Sequence, residues 1–457
     1  GRFEEALDVI RKDNPLPGVC SRDFHFAGER ECPAREMGKP ISIRGLKRFA
    51  VDYGLRTGIE KVTPPKQTKN QKIAIIGSGP AGLSAGYSLV QKGYPVTIFE
   101  ALPFVGGMLT VGIPEYRLPR KVLNTDLQVI KDAGVRIQTN TFLGKDITID
   151  GLFNQGYKAI FIAIGSHKSL KLSIPGENSE GVLDSLEFLK GVNLGKAVNL
   201  GRRVGVIGGG NAAVDAARSA WRMKNCEKVS IIYRRTKMEM PAFKEDVESA
   251  IEEGVEIQFL TTPTRILTQN GKLIGIECIH TKLGEVDESG RRRPIPIKGS
   301  EFIVDLDNLI LAIGEQPDLS FLNSNQGLEV SSNNRIIVDP ETFTTNQKGI
   351  FAGGDVVTGP NTVIEAISAG KTAAISIDKY LRGESLKRKY SVTRPSVYIE
   401  PVELTEEEVA ETKYPSMPRL SPKERVNNFK EVELGFSKEL AVKEARRCLR
   451  CDLERMH

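Results

Sequence analysis

The sequence predicts an α/β protein in which one Rossmann-like domain is inserted into another, with a helical cap at the N-terminal end. Two observations predict this fold. Apolar strands at residues 72–76 and 204–207 each run directly into a glycine-rich turn and a helical pattern, as a buried parallel strand does at the start of a βαβ unit. A strand ending in Ala-Ile-Gly also occurs twice, at residues 159–165 and 308–314. The architecture is therefore repeated within the chain.

The order of these elements sets the expected domain boundaries. The first 67 residues have amphipathic helical patterns at 3–11 and 41–53 and end in a proline-rich linker. Each strand that ends in Ala-Ile-Gly is expected to mark a crossing between domains, and the chain resumes a helical pattern near its C-terminal Cys-x-x-Cys. The predicted units are a helical cap at 1–67, a first Rossmann-like domain at 68–194 and 306–385, an inserted domain at 195–305, and an extended tail at 386–457 that returns to the cap.

The composition excludes several functional classes. With 40% hydrophobic and 27% charged residues, the 457-residue chain is typical of a globular protein of two or three domains. No apolar run reaches the roughly 20 residues of a membrane helix. The net charge of +6 is mixed with acidic residues, which argues against nucleic-acid binding and leaves docking of an acidic electron carrier such as ferredoxin as one interpretation beside simple solubility.

The chain start and the cysteine content bear on location. Six cysteines are too few for a disulfide scaffold, so a reducing cytoplasm is predicted. The first residue is not methionine and no signal-peptide pattern follows it. We therefore expect the chain to be a portion of a longer protein.

The strongest motif is the turn Gly77-Ser78-Gly79-Pro80-Ala81-Gly82, with Glu100 at the end of the next strand. Gly77 permits the tight turn, Gly79 lets the backbone approach a pyrophosphate, and Gly82 allows close packing of the helix. The helix N-terminus offers N–H donors to the phosphates, and Glu100 can accept hydrogen bonds from an adenosine ribose. The order of strand, turn, helix and acid predicts a dinucleotide site and disfavours an incidental glycine-rich turn.

A second turn, Gly208-Gly209-Gly210-Asn211-Ala212-Ala213, has the same pattern with alanine in the third glycine position. Its next strand ends in Arg234-Arg235 and not in an acid. Guanidinium groups can pair with a 2′-phosphate, which an acid would repel, so NADP(H) is favoured over NAD(H). The alternative is that the two arginines end a solvated strand.

A third motif, Gly353-Gly354-Asp355, indicates which unit holds a flavin. It ends a strand and precedes a helix that begins near Thr362. Asp355 can accept a hydrogen bond from a flavin ribityl hydroxyl, and the helix dipole can face the flavin N1 and O2, where negative charge develops on reduction. Alone, such a motif would more often be a turn.

Together these motifs resemble the glutamate synthase small-subunit family, which includes the large subunit of NADH-dependent reduced ferredoxin:NADP oxidoreductase and the flavin half of dihydropyrimidine dehydrogenase. The resemblance spans most of residues 14–381. Further matching motifs are Gly106-Gly107-Met108-Leu109, Gly112-Ile113-Pro114-Glu115-Tyr116-Arg117-Leu118-Pro119, Tyr233-Arg234-Arg235 and Met240-Pro241-Ala242.

The resemblance implies a glutathione-reductase-like arrangement, with FAD on the first unit, NADP(H) on the inserted unit and onward electron transfer through iron–sulfur clusters. It also implies that the 112–119 segment passes near the flavin. Hydride transfer between the cofactors requires no acid, base or nucleophile, so no catalytic residue is assigned. The predicted cofactor-binding residues are Gly77, Gly79, Pro80, Ala81, Gly82, Glu100, Gly107, Met108, Leu109, Ile113, Arg117, Gly165, Gly208, Gly210, Asn211, Ala212, Arg234, Arg235, Gly314, Gly354, Asp355 and Thr362.

The cysteines depart from the family pattern. Where the family carries four cysteines before the flavin unit, this chain keeps Cys20 and Cys32 and has Phe24 and Gly28 between them; the family's other cysteine segment stands here at the C-terminal end as Cys448 and Cys451. If the tail folds back, these four thiolates could ligate one [4Fe–4S] cluster. The alternatives are vestigial ligands, a site completed elsewhere, a zinc site, or participation of Asp23 or Glu36.

The C-terminal position of the Cys-x-x-Cys resembles flavin modules fused behind NADH-binding subunits of electron-bifurcating complexes. The predicted partners are therefore other electron-transfer subunits, such as ferredoxin or an NADH-binding flavoprotein subunit. Three other functions remain open: a glutamate synthase small subunit, a dithiol reductase using Cys448 and Cys451, and a redox-sensing subunit that transfers few electrons.

Overall fold

The computed structural model describes residues 1–22, 27–36, 38–58, 63–287, 290–322, 327–387 and 415–451. The N-terminal segment forms the helical cap that the sequence predicts. Its helices are α1 (Phe3–Asp13), α2 (Pro17–Cys20), α3 (Ala27–Arg30) and α4 (Ile43–Thr57), with a 3-10 turn at Pro33–Arg35. The Phe3 ring packs edge-on against Phe49, 5.0 Å between ring centroids, so α1 and α4 share an apolar contact. Helix α4 ends at Gly58, which adopts a left-handed conformation.

The first domain is built on a five-stranded parallel sheet. Its strands are β1 (Lys72–Ile76), β2 (Val96–Phe99), β3 (Arg136–Gln138), β4 (Tyr157–Ile162) and β15 (Ile350–Ala352), in the order β15-β4-β1-β2-β3. Its helices are α5 (Pro80–Gln91), α6 (Met108–Val111), α7 (Arg120–Asp132), α8 (Ile149–Asn154), α12 (Asp355–Thr358) and α13 (Val363–Leu381). Alternate residues of β1 enter two different apolar clusters, one on each face. The sheet is thus covered on both sides, which explains its continuous apolar strands.

The inserted domain repeats this construction. Its parallel sheet contains β6 (Val182–Asp184), β7 (Arg203–Ile207), β8 (Lys228–Ile232), β9 (Glu256–Gln258) and β13 (Asn308–Leu311), in the order β6-β13-β7-β8-β9. Its helices are α9 (Ser185–Asn193), α10 (Asn211–Trp221) and α11 (Lys244–Glu252). In both sheets the strand before the glycine-rich turn is central and the strand ending in Ala-Ile-Gly lies beside it. The predicted fold class is confirmed.

The inserted sheet extends beyond the expected 195–305 boundaries at both ends. Strand β6 and helix α9 precede residue 195, and β13 follows residue 305. The boundaries were too narrow because β13 pairs with β6 on one side and with β7 on the other, each more than 100 residues earlier in the chain, and no local motif reports such long-range pairing. The two crossings between domains form a short antiparallel ribbon of β5 (Lys168–Ser169) and β14 (Glu315–Gln316).

A three-stranded antiparallel sheet completes the inserted domain. Its strands are β10 (Thr261–Gln269), β11 (Lys272–Val286) and β12 (Arg292–Asp305). Ile266, Ile276 and Cys278 of this sheet pack against Ile207 and Leu309 of the parallel sheet. The strands are therefore part of the domain core, although β12 is largely exposed along its length.

The described part of the tail returns to the cap. Helix α15 (Lys438–Arg446) packs against α4, with Phe436 and Ala441 buried beside Phe49. A short helix, α14 (Pro422–Arg425), precedes it. None of the helices in these described ranges is both long and apolar enough to cross a membrane.

Candidate functional site

A cavity of about 300 Å³ lies at the carboxyl edge of the first sheet, within the size range of small-molecule sites. It is the place where parallel sheets bind ligands, because their loops and helix N-termini meet there. Many of the predicted cofactor-binding residues come together here. Those that line the cavity are Gly77, Gly79, Pro80, Ala81, Glu100, Gly107, Met108, Leu109, Ile113, Gly165, Gly354, Asp355 and Thr362.

The first glycine-rich turn has the geometry that its sequence predicts. Gly77 has φ +102°, and a Cβ there would lie less than 3.0 Å from the carbonyl oxygen of Ala163. A Cβ on Gly82 would come equally close to the carbonyl oxygen of Gly77, so the helix can pack onto the turn only without a side chain. At Gly79 no atom would lie within 4 Å of an added Cβ. The space in front of α5 is therefore open for a diphosphate.

Glu100 is buried and held by the same turn. One carboxylate oxygen accepts hydrogen bonds from the Ser78 backbone N–H (2.8 Å) and hydroxyl (2.5 Å), and the other accepts from the Leu102 N–H (2.8 Å). The carboxylate is thus oriented before any ligand binds, beside the cavity where an adenosine ribose would lie.

Asp355 also lines the cavity, at the start of α12. Burial raises the pKa of its carboxyl to about 7, and the nearby carboxyls of Glu315 and Glu365 add to the effect. Helix α13 begins next to it. The hydroxyl of Thr362 accepts a hydrogen bond from the Glu365 N–H (3.3 Å), and Val363, the first residue of the helix, lines the cavity. A 19-residue helix thus directs its positive end into the cavity. The open space over Gly79, the acceptor at Asp355 and this helix end fit a flavin dinucleotide.

We expect Asp355→Asn to weaken FAD binding by about tenfold, because the neutral amide oxygen of asparagine accepts a weaker hydrogen bond than a carboxylate does. In the FAD-free protein the same substitution is expected to stabilise the fold at neutral and higher pH. The folded pKa of about 7 exceeds the ordinary value of 3.8, so the contribution of Asp355 to stability is most favourable below about pH 4 and is lost as the pH rises through 7. FAD-free Asp355→Asn should therefore melt higher than wild type at pH 8 and close to it at pH 4. Equal melting temperatures at pH 8 would contradict this assignment.

The second glycine-rich turn repeats the first. Gly208 has φ +145°, and a Cβ there would lie less than 3.0 Å from the carbonyl oxygen of Ala312. A Cβ on Gly77 would meet the carbonyl oxygen of Ala163 in the same way. Helix α10 begins at Asn211, whose side-chain oxygen accepts a hydrogen bond from the Phe243 N–H (3.0 Å). The predicted residues Gly208, Gly210, Asn211 and Ala212 therefore form a separate turn of the same design, outside the cavity of the first sheet.

The two arginines after β8 occupy different environments. Arg235 is 3% exposed, forms an ion pair with Asp287 (2.5 Å) and donates to the Arg292 carbonyl (2.6 Å). Arg234 is exposed at the surface, and partial desolvation by the atoms around its guanidinium, together with the positive charge of Arg235, lowers its pKa. Both arginines remain predicted contacts of the 2′-phosphate, and Arg235 is in addition engaged by the β11–β12 hairpin.

Arg117 is not where the family resemblance implies. Its Nη1 lies 2.6 Å from Asp215 and its Nη2 3.4 Å from Asp246, both in the inserted domain. Arg117 is not among the residues that line the cavity, nor are Gly82 and Gly314. Arg117 thus forms ion pairs with α10 and α11 of the inserted domain.

Several lining residues were not predicted. Ser78 lies inside the first motif, whereas His167 follows the crossing strand and Lys190 belongs to α9 of the inserted domain. Although His167 is open to solvent, desolvation by the surrounding protein lowers the pKa of its imidazole, which favours the neutral form. No local pattern could have identified His167 or Lys190, because the contact between α9 and the first domain is tertiary.

The four cysteines proposed as ligands are not gathered. Cys20 is 1% exposed in the core of the first domain, and the Cys32 sulfur accepts a hydrogen bond from the Ile41 N–H (3.5 Å). Arg447, next to the exposed Cys448, donates to the Lys39 carbonyl (2.8 Å), so the tail does reach the cap. Among the described residues, no three His, Cys, Asp or Glu side chains are grouped to hold a metal ion. Of the two alternative ligands, Glu36 is exposed and Asp23 lies outside the described residues.

Comparisons with known proteins identify relatives of this fold and site. A family model described as pyridine nucleotide-disulphide oxidoreductase matches residues 71–370. The chain is 43% identical to the NADP(+)-dependent formate dehydrogenase subunit beta of Moorella thermoacetica, over 99% of this chain and 67% of the relative. It is 33% identical to the glutamate synthase [NADPH] small chain of Escherichia coli, over 83% of this chain and 84% of the relative. Among solved structures, FprA from Mycobacterium tuberculosis matches with a TM-score of 0.60 and 18% identity, over 69% of this chain and 85% of FprA.

Proposed function

Because this chain belongs to the pyridine nucleotide-disulphide oxidoreductase family, in the group that contains the glutamate synthase small chain, we propose that it moves hydride between NADP(H) and FAD and passes the electrons to a partner subunit. The chain is an FAD-dependent pyridine-nucleotide oxidoreductase. One observation carries the proposal. Two glycine-rich turns of the same geometry, at Gly77 and Gly208, follow the central strands of two parallel sheets in one chain. This arrangement supports a separate site for each of two dinucleotides.

The chain's own residues hold the two cofactors in position and stabilise the charge that develops on the flavin. A bound flavin supplies the hydride chemistry, since the organic reaction belongs to the cofactors. The N-terminus of α13 places partial positive charge where negative charge develops on reduction. Glu100 and Asp355 supply acceptors for ribose and ribityl hydroxyls, and α5 and α10 supply backbone donors to diphosphates. No side chain has to transfer a proton.

The first test is an anaerobic visible spectrum of the FAD-loaded protein before and after NADPH, and then with NADH in a separate sample. We expect NADPH to bleach the flavin band and NADH to do so more slowly. A flavin band that neither nucleotide bleaches would overturn the proposed function.

Replacing Arg234 by alanine is expected to raise the half-saturating NADPH concentration by about ten- to a hundred-fold, because one charge-assisted hydrogen bond to the 2′-phosphate is lost. NADH should be unaffected, since it lacks that phosphate. Lys228→Ala provides the control, because Lys228 lies at the other end of β8 in an exposed ion pair with Glu256. Equal losses with both nucleotides would show that Arg234 does not read the 2′-phosphate.

The identity of the partner is a further proposal. The Moorella relative is named as a beta subunit, which supports function within a complex. We propose another electron-transfer subunit, ferredoxin or an NADH-binding flavoprotein subunit, including an electron-bifurcating assembly, and a cytoplasmic location. A glutamate synthase partner is the alternative that the Escherichia coli relative supports. A dithiol reductase is less well supported, because neither Cys448 nor Cys451 lines the cavity.

A [4Fe–4S] cluster between cap and tail is a separate proposal. The contact between Arg447 and Lys39 supports it, since it brings the C-terminal cysteines toward the segment that carries Cys32. The buried position of Cys20 does not fit the four-cysteine ligand set. Iron and acid-labile sulfide analysis tests the cluster: about four irons per chain would support it, and an iron-free flavoprotein would overturn it.

A further inference from the structure

The tail contains a hairpin, residues 418–434, that touches all three parts of the protein. Its two arms pair through hydrogen bonds from the Leu420 N–H to the Val432 carbonyl (2.9 Å) and from the Leu434 N–H to the Pro418 carbonyl (2.8 Å). Helix α14 lies at its turn. We refer to residues 418–434 as the strap.

Buried charges attach the strap to the cap. The Glu431 carboxylate lies 2.6 Å from Nη2 of Arg48 and 2.8 Å from Nε of Arg22, and Glu433 lies 2.6 Å from Arg44. The side chains of Arg48 and Arg22 are 2% and 4% exposed. Removal of the strap would take Glu431 away from both buried guanidinium groups and leave them to share Asp52 of α4, so this attachment is favoured.

The strap is attached to the first domain at Tyr116. Its Val432 N–H donates to the Tyr116 carbonyl (3.0 Å), and the Phe429 ring lies 6.2 Å from the Tyr116 ring. Tyr116 belongs to the 112–119 segment, which also contains the cavity-lining Ile113. The strap therefore contacts the same loop that borders the flavin cavity.

Two arginines attach the strap to the inserted domain. Arg425 of the strap donates to Glu252 of α11 (2.9 Å), and Arg222, just beyond α10, donates to the Asn428 carbonyl (3.2 Å). The guanidinium of Arg222 also lies 4.2 Å from the Tyr116 ring centroid. The strap thus closes over a junction where a tyrosine of one domain packs on an arginine of the other.

We propose that the strap holds the inserted domain in the orientation that brings its nucleotide to the flavin, so that Arg425 and Phe429 are positioning residues for hydride transfer. This inference rests on the proposed function. Helix α10 starts at the nucleotide turn and spans 11 residues, about 16 Å, to the end where Arg222 meets the strap. Because the reacting atoms must approach to about 3–3.5 Å, a small rotation of α10 removes the productive geometry.

The test compares Arg425→Met/Phe429→Ala with Arg419→Met. The double variant removes two side-chain contacts of the strap, that of Arg425 with the inserted domain and that of Phe429 with Tyr116, and the half-exposed Glu252 is not left buried without a partner. Arg419 pairs with Glu433 within the strap itself, where a partly exposed ion pair contributes little. We would measure anaerobic flavin reduction by NADPH, FAD content, thermal midpoint, and deuterium exchange of β5 and β14.

We expect reduction at saturating NADPH to slow about tenfold or more in the double variant. The half-saturating NADPH concentration should stay within about twofold of the control, and β5 and β14 should exchange faster. Reduction as fast as in Arg419→Met, with unchanged exchange, would overturn the strap inference alone. If the unmodified protein is not reduced by NADPH, the proposed function fails, whereas the exchange comparison still decides whether the strap restrains the domain. Should the double variant lose FAD, Arg425→Met alone is expected to give a smaller change of the same kind.

Discussion

Gly82→Ala is expected to yield a protein that does not retain FAD. An added Cβ would lie less than 3.0 Å from the carbonyl oxygen of Gly77, and this neighbour is backbone, which cannot rotate aside. Helix α5 would have to move away from the turn, and the N–H groups that face the diphosphate would move with it. We expect bound FAD to fall below about a tenth of the wild-type level, since displacement of the phosphate donors loses several charge-assisted hydrogen bonds.

Gly86→Ala is the matched control, with the same substitution in the same helix. Its added Cβ would meet the tips of Ile98 and Val135 at 3.1 and 3.4 Å, and both side chains can adjust. Alanine also has the higher helix propensity. Absorbance of the purified proteins gives the FAD content. If Gly82→Ala retained FAD as fully as Gly86→Ala, close packing of α5 on the turn could not be what positions the phosphate donors.

Glu253→Gln is expected to destabilise the protein by about 3–5 kcal/mol, the usual cost of breaking a buried ion pair. The Glu253 side chain is fully buried and lies 2.8 Å from both Arg218 and Arg222, which are 2% and 0% exposed. Glutamine would leave two buried guanidinium groups short of negative charge. The midpoint of urea unfolding at pH 7 measures the effect.

The pH dependence of this effect follows from the pKa of Glu253. Burial alone would raise it, but hydrogen bonds and ion pairs from Arg218 and Arg222 outweigh burial and hold it at about 2. The folded value lies below the ordinary 4.5, so the stabilisation is present above about pH 4.5 and is lost as the pH falls toward 2. The difference between wild type and Glu253→Gln should therefore shrink in acid.

The substitution Glu252→Gln, at the neighbouring residue, is the control both at pH 7 and in acid. Glu252 is 50% exposed and pairs with Arg425, so its loss should cost no more than about 1 kcal/mol. A similar, small effect of both substitutions at pH 7 would show that the buried ion pairs of Glu253 with Arg218 and Arg222 do not stabilise the protein.

Gly82 contacts a residue five positions away in the sequence, whereas Glu253 pairs with arginines more than 30 positions away. Features of the first kind could be predicted from the sequence. The two glycine-rich turns, Glu100 and the Gly-Gly-Asp motif were predictable, because each is a local requirement on backbone conformation or on the residue that ends the next strand. The structure confirms the repeated sheet and brings the first turn, Glu100 and Asp355 to one cavity.

The sequence by itself determined where the chain turns, which strands are buried on both faces and which helices face a dinucleotide, because glycines and apolar runs act on their immediate neighbours. Only the tertiary structure decided the contacts of Arg235, Arg117 and Cys20. Arg235 is engaged by Asp287, Arg117 by Asp215, and Cys20 by the apolar core. A charge or a thiol acquires its role from whatever the fold places within a few ångströms of it, and no local pattern encodes a partner that lies tens or hundreds of residues away.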